Sequence, residues 1–275
     1  MKIAKRRWFQ AGGLLLFHLP FLGALSPAIR CVPVFSCHAC ALTWNICPIG
    51  ALMHYSGWHL IPYYLLGLLF LFGATIGRLF CGWICPFGTL QALLYRVPSP
   101  KFKLPAWAGY GKYLFLLVLV ILLPFFWGEL TYYSFCRICP AAALQVVIPN
   151  WLTSGFYWDG WLSAARFLVL GAVVVLAIAS SRSFCKVMCP IGAMMGPFNH
   201  VSLWRVPMPY GKCPQCGKCD AVCPTDVKPS ERLARDTSPN RHDDCIVCHE
   251  CAKACPVMKK LDQKKTEGVA THAGN

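Results

Sequence analysis

Charge is scarce in this sequence. Asp, Glu, Lys and Arg make up 13% of its 275 residues, against about 25% in an average soluble domain. Acidic residues are the rarest, at 11 against 26 Lys and Arg. Meanwhile 56% of the chain is hydrophobic, and those residues are gathered into blocks. An ordinary soluble domain is thereby excluded. The formal net charge of +15 would suggest nucleic acid in a soluble protein. Here the basic residues sit at the ends of apolar blocks, as flanks facing anionic lipid do, so nucleic acid is not an expected partner. The basic stretch Met1–Arg7 leads into an apolar run with no A-x-A-type cleavage site after it, so a retained first helix is expected and not a cleavable signal. Methionine is sparse, with 7 residues and no Met-rich run, which argues against a dedicated copper pathway. No constellation of acid–base or nucleophilic side chains marks a substrate pocket.

Four apolar segments stand out: Trp8–Ile29, Leu60–Gly77, Tyr113–Gly128 and Trp161–Ser181. A bilayer span needs roughly 20 mostly apolar residues. The third is short unless it continues to Tyr133, and it contains Pro124. Buried helices of a soluble protein are the competing reading. Trp and Tyr at the segment ends favour spans. Lys and Arg concentrate at the N-terminus, between spans two and three (Arg78, Arg96, Lys101, Lys103, Lys112) and after span four. Positive-inside asymmetry then places both termini and the middle loop in the cytoplasm, in a multi-pass protein of the inner membrane.

The chain also repeats. Phe80-Cys81-Gly-Trp-Ile-Cys85-Pro86-Phe-Gly88 matches Phe184-Cys185-Lys-Val-Met-Cys189-Pro190-Ile-Gly192, and each follows an even-numbered span. Upstream, Cys47-Pro48 with Ala51-Leu52 resembles Cys139-Pro140 with Ala143-Leu144, each in an outward loop. Two units in one orientation imply a pseudo-twofold axis along the membrane normal. The expected fold is therefore an all-α membrane domain of four transmembrane helices over 1–205. A ferredoxin-like α+β domain with two [4Fe–4S] clusters follows over 206–260, then a disordered tail over 261–275.

Eighteen cysteines mean either disulfides or metal ligation, and spacing decides. Cys213-x2-Cys216-x2-Cys219-x3-Cys223-Pro224 is followed by Cys245-x2-Cys248-x2-Cys251-x3-Cys255-Pro256. This is the bacterial ferredoxin run, complete twice, in which the fourth cysteine of each run ligates the other cluster. Cluster one then takes Cys213, Cys216, Cys219 and Cys255. Cluster two takes Cys245, Cys248, Cys251 and Cys223. A reducing cytoplasm argues against disulfides, and eight ligands in this cadence argue against structural zinc. Cys245-x2-Cys248-His249 also reads as a c-type haem attachment site, but the same cysteines complete the ferredoxin run.

The inner pairs Cys81/Cys85 and Cys185/Cys189 each put two sulfurs on one helix face. The repeat brings the pairs together as a four-thiolate site, ahead of copper, zinc, a dithiol or buried thiols. Proline after the last cysteine suits the first turn of a new helix, whose N-terminus favours an anionic cluster. On the outer face, repeat logic groups Cys40 and Cys47 with Cys136 and Cys139. Local spacing instead groups Cys37, Cys40 and Cys47, with Cys31 nearby. Disulfides compete with both, because that side is oxidising. His18, His54 and His59 are haem or quinone ligands on one reading and packed histidines on the plainer one. Glu129 and Asp159 are candidate proton carriers at the outer face, or ordinary boundary residues.

Taken together, four spans, two Cys-x3-Cys-Pro motifs at the inner ends of spans two and four, and the double ferredoxin run resemble the NapH/MauN family of membrane ferredoxin-type proteins. The resemblance runs from Arg6 to about Pro256, and Cys81, Cys85, Cys185 and Cys189 match the family signature position by position. It implies electron passage between a menaquinol or ubiquinol pool and iron–sulfur or haem partners. The outer group from Cys31 to Cys47 departs from the nitrate-reductase-associated members and looks like a polyferredoxin subgroup, which argues against a nitrate-specific role. The leading expectation is an electron-transfer subunit relaying between a quinol pool or extracytoplasmic partner and cytoplasmic partners. Besides the two ferredoxin clusters, it would carry one or two further [4Fe–4S] clusters in the membrane domain. Its partners would be lipid, redox subunits of iron–sulfur, haem or reductase type, and quinol. The alternatives are a quinol dehydrogenase anchor with one-sided chemistry, and a copper-reducing assembly factor, a role in which related Cys-x3-Cys-Pro proteins are implicated.

Overall fold

The computed structural model describes residues 6, 8–12, 47–128, 134–144, 160–211 and 213–261. The first predicted span beyond residue 12, His18, Cys31, Cys37, Cys40, Glu129, Asp159 and the tail from residue 262 lie outside the described residues.

Regular structure among the described residues is helical throughout, with no strand. The first repeat supplies α1 (Pro48–Gly57), α2 (Tyr63–Ile76), α3 (Leu79–Trp83) and α4 (Pro86–Leu94). A continuous helical stretch, α5 (Ala106–Trp127), follows. The second repeat supplies α6 (Phe135–Ile138), α7 (Pro140–Ala142), α8 (Trp161–Ala179), α9 (Ser183–Val187) and α10 (Pro190–Met195). The C-terminal region holds α11 (Lys218–Ala221), α12 (Pro229–Ala234) and α13 (Glu250–Ala254). These short helices are joined by turns, so the β part of the expected α+β pattern is not found among the described residues.

Span lengths differ from the sequence expectation. Among the described residues, α5 is the helix long and apolar enough to cross a membrane, at 22 residues. It begins seven residues before the predicted segment, because Pro105 and a 3-10 turn at Ala106–Tyr110 start it early. In contrast, α2 has 14 residues. Pro62 caps its start, and Gly77, at φ 57, turns the chain at its end. Within α5 the backbone widens to a π-helix over Leu116–Leu122, ahead of Pro124. Proline lacks an N–H and displaces the turn before it. The Ser56 hydroxyl of α1 donates to the Ile121 carbonyl at 2.9 Å and ties α1 to this stretch.

The two repeats pack reciprocally. Helix α4 of the first lies on α8 of the second, while the turn Pro197–His200, just past α10, lies on α2. Gly73 of α2 allows that approach, since a Cβ there would overlap the Phe198 ring. Between them Ile49, Met53, Val120, Phe135, Val173 and Phe184 form a core. The outward faces of α2, α5 and α8 are apolar, with Tyr63, Phe70, Leu114, Phe126 and Leu168 all exposed. An apolar surface of that extent marks an interaction face.

The C-terminal region is wedged against both repeats. The fully buried Asn199 accepts from the Arg78 amide at 3.1 Å and donates to the carbonyls of His242 at 2.9 Å and Cys245 at 2.7 Å. Asp243 accepts from the Tyr113 hydroxyl at 2.6 Å and pairs with His200 at 2.7 Å, and Lys112 pairs with Asp244.

Candidate iron–sulfur sites

Four Cys–Pro pairs of the two repeats open helices, each by the same device. Cys47, Cys85, Cys139 and Cys189 are the capping residues of α1, α4, α7 and α10, and each following proline takes the first turn. Proline is pre-set for that position. A helix start leaves its first backbone N–H groups without helical partners. At Cys189 one of these, Gly192 N–H, donates to Sγ at 3.4 Å.

The inner pairs converge. Burial pushes the Cys85 thiol up to about 12, and the charges of Cys185 and Cys81 add to the effect. Cys189 is pushed well up by burial and then by Cys185 and Cys81. Two cysteines of each repeat therefore share one buried space. Four thiolates cannot coexist there unless positive charge sits among them. That is the donor set an iron–sulfur cluster needs, because metal binding supplies the charge that ionises the thiols. No three His, Cys, Asp or Glu groups among the described residues stand close enough to hold a single metal ion.

Other side chains complete this site, and sequence reasoning missed them. Gln91 of α4, 1% exposed, donates from Nε2 to Cys185 Sγ at 3.3 Å and accepts the Phe184 amide at 3.1 Å. Arg78 and Arg182 reach across the repeats. Arg78 Nη2 donates to the Cys185 carbonyl at 3.4 Å, and Arg182 Nη1 donates to the Cys81 carbonyl at 2.9 Å. The signal was available: the repeat extends upstream as Arg78-x-Phe80-Cys81 and Arg182-x-Phe184-Cys185. The glycines Gly88 and Gly192 are explained by the same arginines. A Cβ at Gly192 would stand 2.7 Å from Arg78 Nη2, and one at Gly88 would overlap Arg182 Nη1. Gly192→Ala is therefore expected to cost about 1–3 kcal/mol of stability, measurable as a lowered thermal midpoint, whereas an unchanged midpoint would mean that the guanidinium moves aside freely.

In the C-terminal region a small cleft is lined in part by Cys223, Cys245, Cys248 and Cys251. Three of these are consecutive cysteines of the second run and the fourth closes the first run. Burial pushes Cys245 up to about 12, with Cys248 and Cys223 adding. Cys219 is pushed up to about 11 by burial, then by Asp220, with Cys213 contributing. Cys219 and Cys255 share a core with Cys213 against its edge, and Cys216 is exposed. The two runs use the same backbone. Gln215 and Gly217 in the first have φ of 52 and 69, and Val247 and His249 in the second have 50 and 61. A β-branched residue rarely takes that conformation, so Val247 stores strain of the kind found at binding sites. Left-handed residues at these places turn consecutive N–H groups inward, a nest suited to an anion. His249 lines the cleft beside Cys248 and also packs on Trp83 and Trp204, and burial holds it down to about 4.

Of the cysteines expected on the outer face, Cys47, Cys136 and Cys139 all border the Ile49–Phe184 core. His54 and His59 lie against aromatic rings, His54 on Tyr55 and Trp58 and His59 on Phe125.

A profile described as a 4Fe-4S binding domain matches residues 45–61, 58–105 and 162–209. Those stretches contain Cys47, both inner pairs and their prolines, and they stop before the ferredoxin runs. An uncharacterised protein of Methanocaldococcus jannaschii is 29% identical over 179 residues, covering 65% of this chain and 61% of that protein. The ferredoxin-type protein NapH of Haemophilus influenzae is 30% identical over 203 residues, covering 68% of this chain and 63% of NapH. The methylamine utilization ferredoxin-type protein MauN of Methylobacillus flagellatus is 28% identical over 162 residues, covering 58% of this chain and 51% of MauN. The chain thus spans from about half to less than two thirds of these relatives' lengths. No solved structure matches. The chain thus carries 4Fe-4S binding-domain sequence over its converging cysteine pairs and is similar to the ferredoxin-type proteins NapH and MauN.

Proposed function

We propose that this chain is the electron-transfer subunit of a membrane redox complex, relaying electrons between a quinol pool or extracytoplasmic partner and cytoplasmic redox partners. Its membrane domain, residues 1–205, would hold four spans, with both termini cytoplasmic. The region 206–260 would be its ferredoxin domain and 261–275 its tail. The observation that carries this reading is the contact between the inner site and the second ferredoxin run. Gly82 lies between Cys81 and Cys85, and a Cβ there would overlap the Ile246 carbonyl and stand 3.4 Å from the Cys248 Cα. Next to it, Trp83 Nε1 donates to the Val247 carbonyl at 3.0 Å. Two cysteine sites share a wall of backbone, with no side chain between Gly82 and Ile246.

The residues divide by task. Cys81, Cys85, Cys185 and Cys189 would hold the inner cluster. Cys223, Cys245, Cys248 and Cys251 would hold the cluster next to it, and Cys213, Cys216, Cys219 and Cys255 the third, whose exposed Cys216 offers the way out to a partner. Cys47, Cys136 and Cys139, on one core, would hold a fourth site together with a further cysteine of the first loop, Cys40 by the repeat or Cys37 by local spacing. When bound, such clusters supply one-electron transfer at potentials set by charge, hydrogen bonds and exposure. The apolar outward faces of α2, α5 and α8 support a lipid surround, and a hydrocarbon core about 30 Å thick requires relay points at both ends. Quinol is the donor or acceptor class that meets a membrane protein at that surface.

The test is an iron and acid-labile sulfide count on anaerobically purified protein, with reductive EPR. Four [4Fe–4S] clusters give about 16 iron atoms, and three give about 12. About 12 would remove the outer site alone. About 8 would leave the ferredoxin runs only and overturn the relay.

A further inference from the structure

The repeat places one arginine three residues before each inner cysteine pair. Arg78 and Arg182 are each 1% exposed, and arginine is almost never buried so fully without a partner for its charge. Yet their acidic company is thin. Asp244 stands 4.0 Å from Arg78, and Arg182 has no carboxylate partner among the described residues. What both meet is the four-cysteine site. Each donates to the carbonyl of the other repeat's first cysteine, at 3.4 Å for Arg78 and 2.9 Å for Arg182. Each also leans on the glycine two residues past the other repeat's Cys–Pro step, where a side chain would collide with it. The two braces cross, so both guanidinium groups stand in the wall of one site.

We propose that Arg78 and Arg182 are paired positioning residues that fix two positive charges beside the inner four-cysteine site and so raise the reduction potential of the cluster held there. The proposal rests on the reading that these cysteines hold a cluster. Four thiolates leave such a site with net negative charge even when oxidised. Reduction adds one electron, drawn from the physiological donor or from a low-potential chemical reductant, and no bond forms or breaks. In a buried site that added charge is expensive. Two fixed cations offset it, and offset it more in the reduced state, so the equilibrium shifts toward reduction. Burial keeps solvent and salt from screening the effect. Gln91, donating to Cys185 Sγ, acts in the same direction on one side. Met195 occupies its place in the second repeat.

The experiment is an EPR-monitored redox titration of the anaerobically purified full-length holoprotein. The inner signal is defined as the one missing from Cys189→Ser protein. Arg182→Gln is the cleaner variant, since Arg78 also touches the ferredoxin run. Arg182→Gln should lower the inner midpoint potential and leave the ferredoxin signals in place. Arg78→Gln should lower it too, and the double variant further. Arg182→Lys, which keeps the charge, should titrate near the wild type. A Gln variant that keeps the inner signal at the wild-type midpoint overturns the proposal. Should Arg182→Gln lose the signal, Arg182→Lys decides. A retained signal near the wild-type midpoint supports the charge role, and a lost or equally shifted one shows that packing, not charge, is what the arginine supplies. Wild-type protein without any inner signal would instead sink the four-cysteine reading itself.

Discussion

Cys223→Ser should abolish the cluster of the second ferredoxin run and spare that of the first, although Cys223 is the last cysteine of the first run. The cleft decides this. Cys223 lines it together with Cys245, Cys248 and Cys251, and its charge is felt at Cys245, Cys248 and Cys251 alike. The Cys223→Ser and Cys245→Ser proteins should therefore lose the same EPR signal and about four iron atoms each, while Cys213→Ser loses the other. Because the second run shares backbone contacts with the inner site at Gly82 and Trp83, these two variants should also stop electrons passing between the membrane domain and a soluble acceptor. Matching spectra for Cys223→Ser and Cys213→Ser would mean that each run closes its own cluster.

Stripping the iron should unfold the C-terminal region and leave the helices α2, α5 and α8 standing. The region's core consists of Val206, Met208, Cys219, Leu233, Val247, Cys251 and Cys255. Three of those seven are ligand candidates. Helices α11, α12 and α13 have 4, 6 and 5 residues, too short to stand alone. A domain this small needs a metal or another staple. By analogy with structural zinc, whose binding supplies on the order of 10 kcal/mol of folding free energy, cluster loss removes most of what orders the chain. Val247 adds to this, since its left-handed backbone (φ 50) is tolerable only while something over-determines it. Limited proteolysis before and after chelation under reducing conditions reads the outcome as rapid cleavage between residues 206 and 261. Equal resistance in the stripped protein would show that contacts such as Asn199 and Lys112 suffice to hold the region.

Much of the centre was legible in the sequence because cysteine spacing is a strict geometric signal. The double ferredoxin run pairs Cys223 with the later cysteines by pattern alone, and the cleft brings those four together. The inner pairs were legible through repetition, and Cys–Pro at α4 and α10 announced helix starts. Charge was less legible. Arg78 in the sequence is a loop cation that orients the chain in a membrane. In the fold it is buried, and its partners lie 107 and 165 residues away. No local pattern encodes such partners. Gln91 was invisible for the same reason, as a lone amide on a helix face. Hydropathy overstated α2, since an apolar run does not reveal where Pro62 and Gly77 will cut a helix. It understated α5, where Pro105 and the 3-10 turn at Ala106–Tyr110 start the helix seven residues before the apolar segment.

The C-terminal wedge has a consequence for a site made of two copies of one instruction. Arg78 bonds the Asp243 carbonyl and faces Asp244, while Arg182, its twin, has no such neighbour among the described residues. Gln91 likewise has methionine for a twin. A duplicated half-site is by construction indifferent to left and right, and would offer a departing electron two equal exits. Residues 243–248 remove that indifference by occupying one flank. The machine gains a front and a back from six residues that neither copy contains.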